Sequence, residues 1–251
     1  MLAVADMHVA YRGRTAVSGF GPPPFQPGSF TALIGPNAAG KSSALRAIAG
    51  IVAARGSVRL SDVALHRLGI AQRAQRVRYV PQAFHTSALL NVFEAVLVAL
   101  RQGHGAGAGA PARVSRVLGQ LDIADLADRP VASLSGGQQQ LVALAQGLVV
   151  DAPVLLLDEP TSALDLNRQL RVMRLLCEVA SERRMIILAA MHDLALAARH
   201  AARIVLLDRG RVTADGTADE VLGSAACATA YGVRLAVERN SRGSLTVEAH
   251  L

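Results

Sequence analysis

The stretch FTALIGPNAAGKSS, residues 30–43, decides the fold of this chain. Residues 30–34 predict a buried strand, and residues 41–49 predict a helix. Between them, Gly35 to Ser42 fits the spacing GxxxxGK[ST], a loop in which backbone N–H groups and the helix N-terminus point at phosphate oxygens. A glycine-containing turn that enters a helix is the structural alternative. The order strand, loop, helix favours the phosphate site.

Lys41 carries a further signal, because it is the only lysine in the chain while the other basic residues are arginines. A compact ammonium on a flexible stem is not replaced by a planar guanidinium. We therefore expect Lys41 to contact the β- and γ-phosphates of a nucleotide. The Ser42 hydroxyl is expected to bind Mg²⁺.

The segment VLLLDE, residues 154–159, predicts the second half of the same site. A buried strand delivers Asp158 and Glu159 at its carboxyl end, where the ligands of open α/β sheets bind. Asp158 suits the Mg²⁺ shell, and Glu159 suits a general base that orients the attacking water. Acidic residues also follow strands for structural reasons, so the interpretation of this segment depends on the loop at residues 35–42.

The segment LSGGQ, residues 134–138, precedes a helical pattern that runs from Gln139 to Val149. One interpretation makes Ser135 a helix cap and the two glycines its turn. The other makes this small, glycine-lined helix N-terminus a second anion site. One nucleotide does not need two phosphate sites in one chain. The second interpretation therefore predicts that the segment closes over the ATP of another protomer.

Short apolar strands alternate with helical patterns along the chain, which predicts an α/β protein with a mostly parallel sheet. Further strands are expected at residues 76–80, 185–189 and 204–207, and a helix at 164–184. The dipeptide Arg209-Gly210 after the last of these strands predicts a hairpin.

Residues 83–150 show helical segments but little strand character. We interpret them as a helical subdomain inserted into a nucleotide-binding core of residues 1–82 and 151–251. Inside the subdomain, the low-complexity stretch at 103–112 predicts a flexible surface loop. The tail at 232–251 predicts a terminal hairpin.

Composition argues against several classes of protein. No apolar run reaches the roughly 18–20 residues that span a bilayer as a helix. The net charge of +7 comes from scattered arginines, which does not indicate a nucleic-acid interface. Cys177 and Cys227 have no metal-ligand spacing.

Together the three segments resemble the ATP-binding cassette (ABC) ATPase family, over about residues 2–222. GPNAAGKSS resembles its Walker A motif, LSGGQ its signature and VLLLDEP its Walker B motif. The resemblance implies a P-loop NTPase (RecA-like) core with a mostly parallel sheet, an antiparallel β portion and the inserted helical subdomain. It also implies ATP and Mg²⁺ as ligands. It further implies a head-to-tail dimer in which each ATP is buried between one Walker A motif and the opposite signature.

The resemblance gives roles to four more residues. Gln82 matches the Q-loop that touches Mg²⁺ and water, and His192 matches the switch histidine near the γ-phosphate. Asp165 matches the D-loop at the dimer contact, and Tyr11 matches the aromatic residue that stacks on adenine. The expected catalytic residues are Glu159, His192, Lys41 and Gln82, and the expected metal ligands are Ser42, Gln82 and Asp158. The expected nucleotide-binding residues are Tyr11, Gly35, Pro36, Asn37, Ala38, Ala39, Gly40, Lys41, Ser42, Ser43, Ser135, Gly136, Gly137, Gln138 and Asp165.

The resemblance further implies the motor subunit of a membrane importer, peripheral on the cytoplasmic face of the inner membrane. Its expected partners are transmembrane permease subunits and a substrate-binding protein, with no nucleic acid. Residues 192–222 resemble the subgroup that powers uptake of iron–siderophore complexes, haem or vitamin B12 (cobalamin). Three alternatives stay open: a soluble ABC ATPase of DNA repair or translation, a module that binds nucleotide without hydrolysing it, and an ABC motor for another cargo or for export.

Three departures from the family pattern stand out. Ala38 occupies a position where the family usually has glycine, and an alanine there costs free energy if the loop needs a positive φ. Gln139 and Gln146 stand where the family commonly has arginine. The run of prolines at residues 22–24 interrupts a region that is usually a strand. None of these departures removes a catalytic group.

Overall fold

The computed structural model describes residues 1–82, 90–104, 107, 109–239 and 245–250. Its strands are β1 (Leu2–Tyr11), β2 (Arg14–Phe20), β3 (Ser29–Ile34), β4 (Arg55–Leu60), β5 (Val63–Ala64), β6 (Val77–Val80), β7 (Val154–Asp158), β8 (Ile186–Ala190), β9 (Arg203–Asp208), β10 (Arg211–Gly216), β11 (Arg234–Arg239) and β12 (Leu245–His250). Its α-helices are α1 (Lys41–Ala49), α2 (Ile70–Ala74), α3 (Val92–His104), α4 (Ala110–Gln120), α5 (Gly136–Leu148), α6 (Leu166–Glu182), α7 (Leu194–His200), α8 (Ala218–Leu222) and α9 (Ala225–Tyr231).

A six-stranded sheet in the order β10-β9-β3-β8-β7-β6 forms the centre of the molecule. Its inner pairings are parallel, and only the edge strand β10 runs antiparallel to its neighbour β9. The register aligns Leu33 of β3 and Asp158 of β7 with the same residue of β8, Ala190. The loops that follow these three strands therefore leave the sheet side by side, and the predicted α/β fold is confirmed.

The central sheet is covered on both faces. Along β7, Leu155 and Leu157 belong to one hydrophobic cluster, whereas Val154 and Leu156 belong to the other. The first cluster contains residues of α3 to α7, and the second contains residues of α1 and of β1, β2 and β4 from the antiparallel sheet β2-β1-β4-β5. Burial on both faces explains why these strands are continuous apolar runs in the sequence.

Helices α3, α4 and α5 all lie between β6 and β7 along the chain. The prediction of a loop at residues 103–112 is partly wrong, because α3 extends to His104 and α4 begins at Ala110. Gly103 lies in the last turn of α3, where glycine allows close packing: a Cβ there would lie 2.6 Å from Cγ1 of Val150. At the other end, Pro111 lies in the first turn of α4, where proline is compatible with a helix. Residues 105, 106 and 108 lie outside the described residues.

After β10 come α8, α9 and the antiparallel pair β11–β12, whose pairing confirms the two strands of the predicted terminal hairpin. The turn predicted around residues 240–243 lies outside the described residues. We call residues 217–239 and 245–250 the C-terminal segment. Strand β12 packs against α7, while β11 contacts α8 and α9.

Pro22 to Pro24 lie in the connection between β2 and β3. Within the described ranges, no helix combines the length and the apolar character needed to cross a membrane.

Candidate functional site

Lys41 lies at the first position of α1, directly after the loop that leaves β3. It is only 5% exposed. Its ammonium Nζ donates to the carbonyl oxygens of Gly35 at 2.7 Å and Pro36 at 3.1 Å. Burial lowers the pKa of Lys41 from its ordinary value, although the carboxylates of Glu159 and Asp158 act in the opposite direction. The loop therefore wraps around a buried cation, which suits the recognition of phosphate oxygens.

Backbone conformation explains the glycines of this loop. Gly35 has φ 146° and Gly40 has φ 106°, in a region that L side chains rarely adopt. A Cβ on Gly40 would lie 2.5 Å from the carbonyl oxygen of Ala16. Ala38 also has a positive φ, 63°. Alanine in place of glycine at position 38 therefore strains the backbone, at a cost of about 1–2 kcal/mol for an L residue in the left-handed region.

Asp158, at the end of β7, is the centre of a buried hydrogen-bond cluster. It is 2% exposed. The Ser42 hydroxyl donates to its Oδ1 at 2.7 Å, and the Tyr79 hydroxyl donates to its Oδ2 at 2.8 Å. Arg46 donates to the Tyr79 oxygen at 3.0 Å and lies 3.7 Å from Asp158 Oδ2. Burial raises the pKa of Tyr79 to about 12, so this hydroxyl stays a proton donor at neutral pH.

Glu159 is held between two other predicted residues. Its Oε1 lies 2.5 Å from Nε2 of His192, and its Oε2 accepts from Nε2 of Gln82 at 2.5 Å. The backbone of Glu159 has φ 52°, in the left-handed region that is costly for a residue other than glycine. Such conformations cluster at functional sites because the surrounding structure fixes them. The Glu159 side chain reaches Gln82 and His192 from this position at the end of β7.

A cavity of about 680 Å³ brings these groups together. It is lined by Tyr11, Arg14, Thr15, Ala16, Asn37, Ala38, Ala39, Gly40, Lys41, Ser42, Ser43, Glu159, His192 and Arg209. Tyr11, at the end of β1, is 41% exposed on this wall. Most of the predicted nucleotide-binding residues from the first third of the chain therefore line one cavity. Gln82 and Asp158 do not line it, but each is hydrogen-bonded to a residue that does, Gln82 to Glu159 and Asp158 to Ser42.

The predicted residues Ser135, Gly136, Gly137 and Gln138 do not belong to this cavity wall. Ser135 caps α5: its Oγ accepts from the Gln138 N–H, and the Gln138 side chain accepts from the Ser135 N–H at 2.9 Å. The helix-cap interpretation is thus correct as geometry. This geometry does not exclude the anion-site interpretation, because Ser135 and Gly136 at the N-terminus of α5 are exposed and an anion could approach them.

Gly137 and Gln140 join the signature segment to the loop after β7. A Cβ on Gly137 would lie 2.7 Å from the carbonyl oxygen of Ala163. The buried Gln140 amide donates to the Glu159 carbonyl at 2.6 Å and accepts from the Ala163 N–H at 3.0 Å. In the same loop, Asp165 is exposed and caps α6 by accepting from the Arg168 N–H. Asp165 does not line the cavity of Lys41 within this one chain.

Sequence reasoning missed several side chains that organise the site, among them Arg46, Tyr79 and Gln140. Arg46 lies four residues after Ser42 on α1, a spacing that places both on one helix face. Tyr79 lies three residues before Gln82, and Gln140 two residues after the signature. Each of these residues lies close in sequence to a recognised motif, but no local pattern indicates which residue its side chain contacts. The family departures Gln139 and Gln146 donate to the backbone carbonyls of Leu134 and Ala95.

The residues present fit a magnesium ion. The Ser42 hydroxyl donates to the Asp158 carboxylate at 2.7 Å, and Gln82, whose amide nitrogen donates to Glu159, carries an amide oxygen as a third candidate ligand. All three groups offer the hard oxygen ligands that Mg²⁺ prefers, and Mg²⁺ is usually held by one or two carboxylates together with substrate phosphates. Within the described residues, no group of three or more His, Cys, Asp and Glu side chains could hold a metal ion.

Comparison with known proteins gives a consistent result. Residues 24–162 match the family model described as ABC transporter. The chain is 38% identical over 231 residues to the hemin import ATP-binding protein of Streptomyces coelicolor, which covers 89% of this chain and 81% of that protein. It is 36% identical over 202 residues to a phosphonates import ATP-binding protein of Nostoc, with 77% of this chain and 83% of that protein covered.

A third relative is longer than the chain. The cobalamin import ATP-binding protein of Halobacterium salinarum is 37% identical over 225 residues, and the match spans 88% of this chain but 56% of that protein. Among solved structures, a dimeric ATP-binding cassette in a post-hydrolysis state with ADP and Pi bound aligns with a TM-score of 0.79 and 27% identity. That match covers 87% of this chain and 99% of the other.

Proposed function

Since the chain belongs to the ABC transporter family of ATP-binding subunits, we propose that it binds and hydrolyses ATP as a head-to-tail dimer and thereby drives import through a membrane permease. The proposal includes the roles expected for each site residue from the sequence. It also includes a peripheral position on the cytoplasmic face of the inner membrane.

One observation carries the ATPase part of the proposal. The Glu159 carboxylate lies between Gln82 and His192 on the wall of the cavity that also contains Lys41 and Ser42. A general base must reach the attacking water, and the water must lie next to the phosphate that the loop holds. The lining of this one cavity includes both Glu159 and residues 37–43 of the phosphate loop, which supports hydrolysis of a phosphate held there.

In the proposed reaction, Lys41 and the N–H groups of residues 38–43 hold the β- and γ-phosphates. Glu159 accepts a hydrogen bond from a water molecule, whose oxygen forms a bond to the γ-phosphorus. The bond between the γ-phosphorus and the ADP oxygen breaks, and the water proton passes to Glu159. His192 and Gln82 hold the Glu159 carboxylate in place. When bound by Ser42 and Asp158, Mg²⁺ neutralises charge on the phosphate oxygens.

Dimerisation is supported by the separation of the two phosphate-directed segments. The signature segment presents an exposed helix N-terminus but lies outside the cavity of its own chain. A second copy placed head to tail brings that N-terminus to the other chain's ATP. The structural relative that aligns with 87% of this chain is itself a dimer.

The proposed cargo is an iron–siderophore complex, haem or cobalamin, with a substrate-binding protein and permease as partners. Support comes from residues 192–222, which resemble that subgroup, and from relatives named for hemin and cobalamin import. The relative named for phosphonate import has nearly the same identity, 36%. Phosphonate import is therefore the second candidate, favoured by that relative.

The Glu159→Gln variant tests the ATPase proposal. Loss of the base should lower the hydrolysis rate by at least about 100-fold, while MgATP binding is kept. The variant should therefore accumulate an ATP-bound dimer, which light scattering after gel filtration measures directly. Glu178→Gln, the same change on the exposed face of α6, is the matched control and should hydrolyse ATP at the wild-type rate.

Hydrolysis by Glu159→Gln at the rate of the Glu178→Gln control would contradict the assignment of Glu159. For the partner, tagged Glu159→Gln is expressed in the native host and captured with ATP from detergent-solubilised membranes. Mass spectrometry should then identify a polytopic permease, and its sequence class distinguishes an iron-type from a phosphonate importer. Capture of ribosomal or DNA-bound proteins instead would overturn the transport proposal.

A further inference from the structure

The chain has three tyrosines, and all three contact the candidate site. Tyr11 lines the cavity, and Tyr79 donates to Asp158. Tyr231 lies at the end of α9, in the C-terminal segment to which no function has been assigned above. Its hydroxyl oxygen accepts a hydrogen bond of 2.8 Å from the N–H of Gly35, the first residue of the phosphate loop.

Gly35 is a demanding position in the loop. A Cβ there would lie 2.1 Å from the carbonyl oxygen of Leu207, so the backbone passes directly against β9. The carbonyl oxygen of the same residue accepts from the ammonium of Lys41 at 2.7 Å. One glycine thus joins Tyr231, through its N–H, to the loop's cation, through its C=O.

The loop needs such anchors because its conformation is intrinsically unfavourable. Three of its residues have positive φ values, and one of them, Ala38, is not a glycine. The middle of the loop is fixed by a bond from the Gly210 N–H to the Ala39 carbonyl, 2.9 Å. The bond to Tyr231 fixes the beginning. Both anchors come from parts of the chain far from the loop in sequence.

The Tyr231 hydroxyl is suited to this contact. Burial raises its pKa to about 12, although the hydrogen bond from Gly35 acts in the opposite direction, so the group is a neutral hydroxyl at physiological pH. Helix α9 holds the ring in place: Ser224 caps its start by accepting from the Cys227 N–H, and Gly232, with φ 68°, ends it. Strand β12 of the same segment packs against α7, which begins two residues after His192.

We propose that Tyr231 is a positioning residue for nucleotide binding, through which the C-terminal segment holds the phosphate loop in its binding conformation before ATP arrives. This inference rests on the ATP binding proposed above. Without the hydroxyl, the free loop samples other conformations, and the cost of restoring the binding conformation is added to each binding event. The affinity for ATP falls, whereas the chemistry at Glu159 is unchanged once ATP is bound.

The Tyr231→Phe variant tests this inference because it keeps the ring and removes only the hydroxyl. We expect the Kd for a fluorescent ATP analogue and the KM for ATP to rise about three- to tenfold, the effect of losing one neutral hydrogen bond. The value of kcat should stay within about twofold. Thr229→Val is the matched control: it removes an exposed hydroxyl bonded within α9, to the Ala225 carbonyl, and should leave Kd and KM unchanged.

The outcomes separate the inference from the proposed function. Failure of the wild-type chain to bind MgATP overturns the proposed function. Binding by wild type with an equal Kd for Tyr231→Phe overturns only the role of Tyr231, as does a fall in kcat with no change in KM. A second measurement needs no variant: the Gly35 amide proton of the nucleotide-free wild type, observed after ¹⁵N-glycine labelling, should exchange slowly with solvent. Exchange as fast as at the exposed Gly107 would contradict the hydrogen bond.

Discussion

The phosphate loop and the signature segment each lead into a helix N-terminus, and both are proposed to bind phosphate, but they differ in what the single chain provides. In the phosphate loop, Lys41 and Ser42 form hydrogen bonds with other residues of the same chain, and both line one cavity. The signature segment bonds mainly to itself through the capping box of Ser135. Gly136 faces open space: a Cβ there would meet nothing within 4 Å.

This difference separates two kinds of defect. A substitution at the phosphate loop should change what the isolated chain binds. A substitution at Gly136 should leave the isolated chain intact and change only what two chains do together.

Replacement of the only lysine should have the largest effect. In Lys41→Arg the positive charge is kept, but a bulkier planar group must enter a position that is 5% exposed and bonded to two carbonyls of its own loop. We expect ATP hydrolysis to fall by at least about 100-fold, because in the proposed reaction this charge stabilises the transferred phosphate. Phosphate release measures the rate. Arg116→Lys, the reverse change on the exposed face of α4, is the control, and a rate above one-tenth of its value would contradict the prediction.

A charge at the signature should abolish cooperation between chains without damage to the single chain. In Gly136→Asp a carboxylate enters open space at the first position of α5, where an acidic residue stabilises a helix. The melting temperature and the Kd for ATP should stay near wild type. ATP-dependent dimerisation should be lost, and hydrolysis should fall at least about tenfold, because like charges repel across the proposed interface. An ATP-dependent dimer of normal affinity would contradict the proposal that Gly136 lies at the interface between two chains.

The neighbouring glycine should behave in the opposite way. A Cβ at Gly137 would lie 2.7 Å from the Ala163 carbonyl, which is backbone and cannot turn aside. We expect Gly137→Ala to lower the free energy of unfolding by about 1–3 kcal/mol, a typical cost of overpacking. Thermal melting of the nucleotide-free chain measures this loss. Equal melting temperatures for Gly137→Ala and Gly136→Ala would contradict the packing of the signature against the loop after β7.

The smallest effect is expected at Ala38. Glycine at φ 63° removes about 1–2 kcal/mol of strain. It also adds about 0.4–1 kcal/mol of unfolded-state entropy. Ala38→Gly should therefore raise the free energy of unfolding by up to about 1.6 kcal/mol. The same substitution at the exposed second residue of α2, Ala71→Gly, should lower the free energy of unfolding by up to about 0.5–1 kcal/mol. A lower free energy of unfolding in both variants would contradict the backbone strain assigned to Ala38.

The sequence predicted the parts of the molecule that are determined locally. Strands β3 and β7 are continuous apolar runs because both of their faces are covered, and the loop at 35–42 has a spacing that few other structures need. Once parallel strands are assumed, their loops must meet at one edge of the sheet. Lys41 and Glu159 could therefore be assigned to one site although they are far apart in the chain.

The residues that hold the site together could not be predicted in this way. Tyr79 bonds a residue 79 positions away, and Tyr231 bonds one 196 positions away. A tyrosine in an apolar context is compatible with simple packing, and no local pattern names its partner. The loop predicted at 103–112 failed for a related reason. The packing of Gly103 against Val150, a contact between distant residues, makes glycine compatible with the last turn of α3.

The solitary, buried Lys41 makes the chain suitable for chemical footprinting. An acylating reagent finds one lysine side chain, and that amine lies inside the proposed nucleotide cavity. Because burial lowers the pKa of Lys41, a larger share of the amine is uncharged, and so nucleophilic, than in an exposed lysine at the same pH. Modification at this side chain adds a single mass increment to one peptide. Protection of that peptide by ATP reports the fraction of occupied sites without any engineered label.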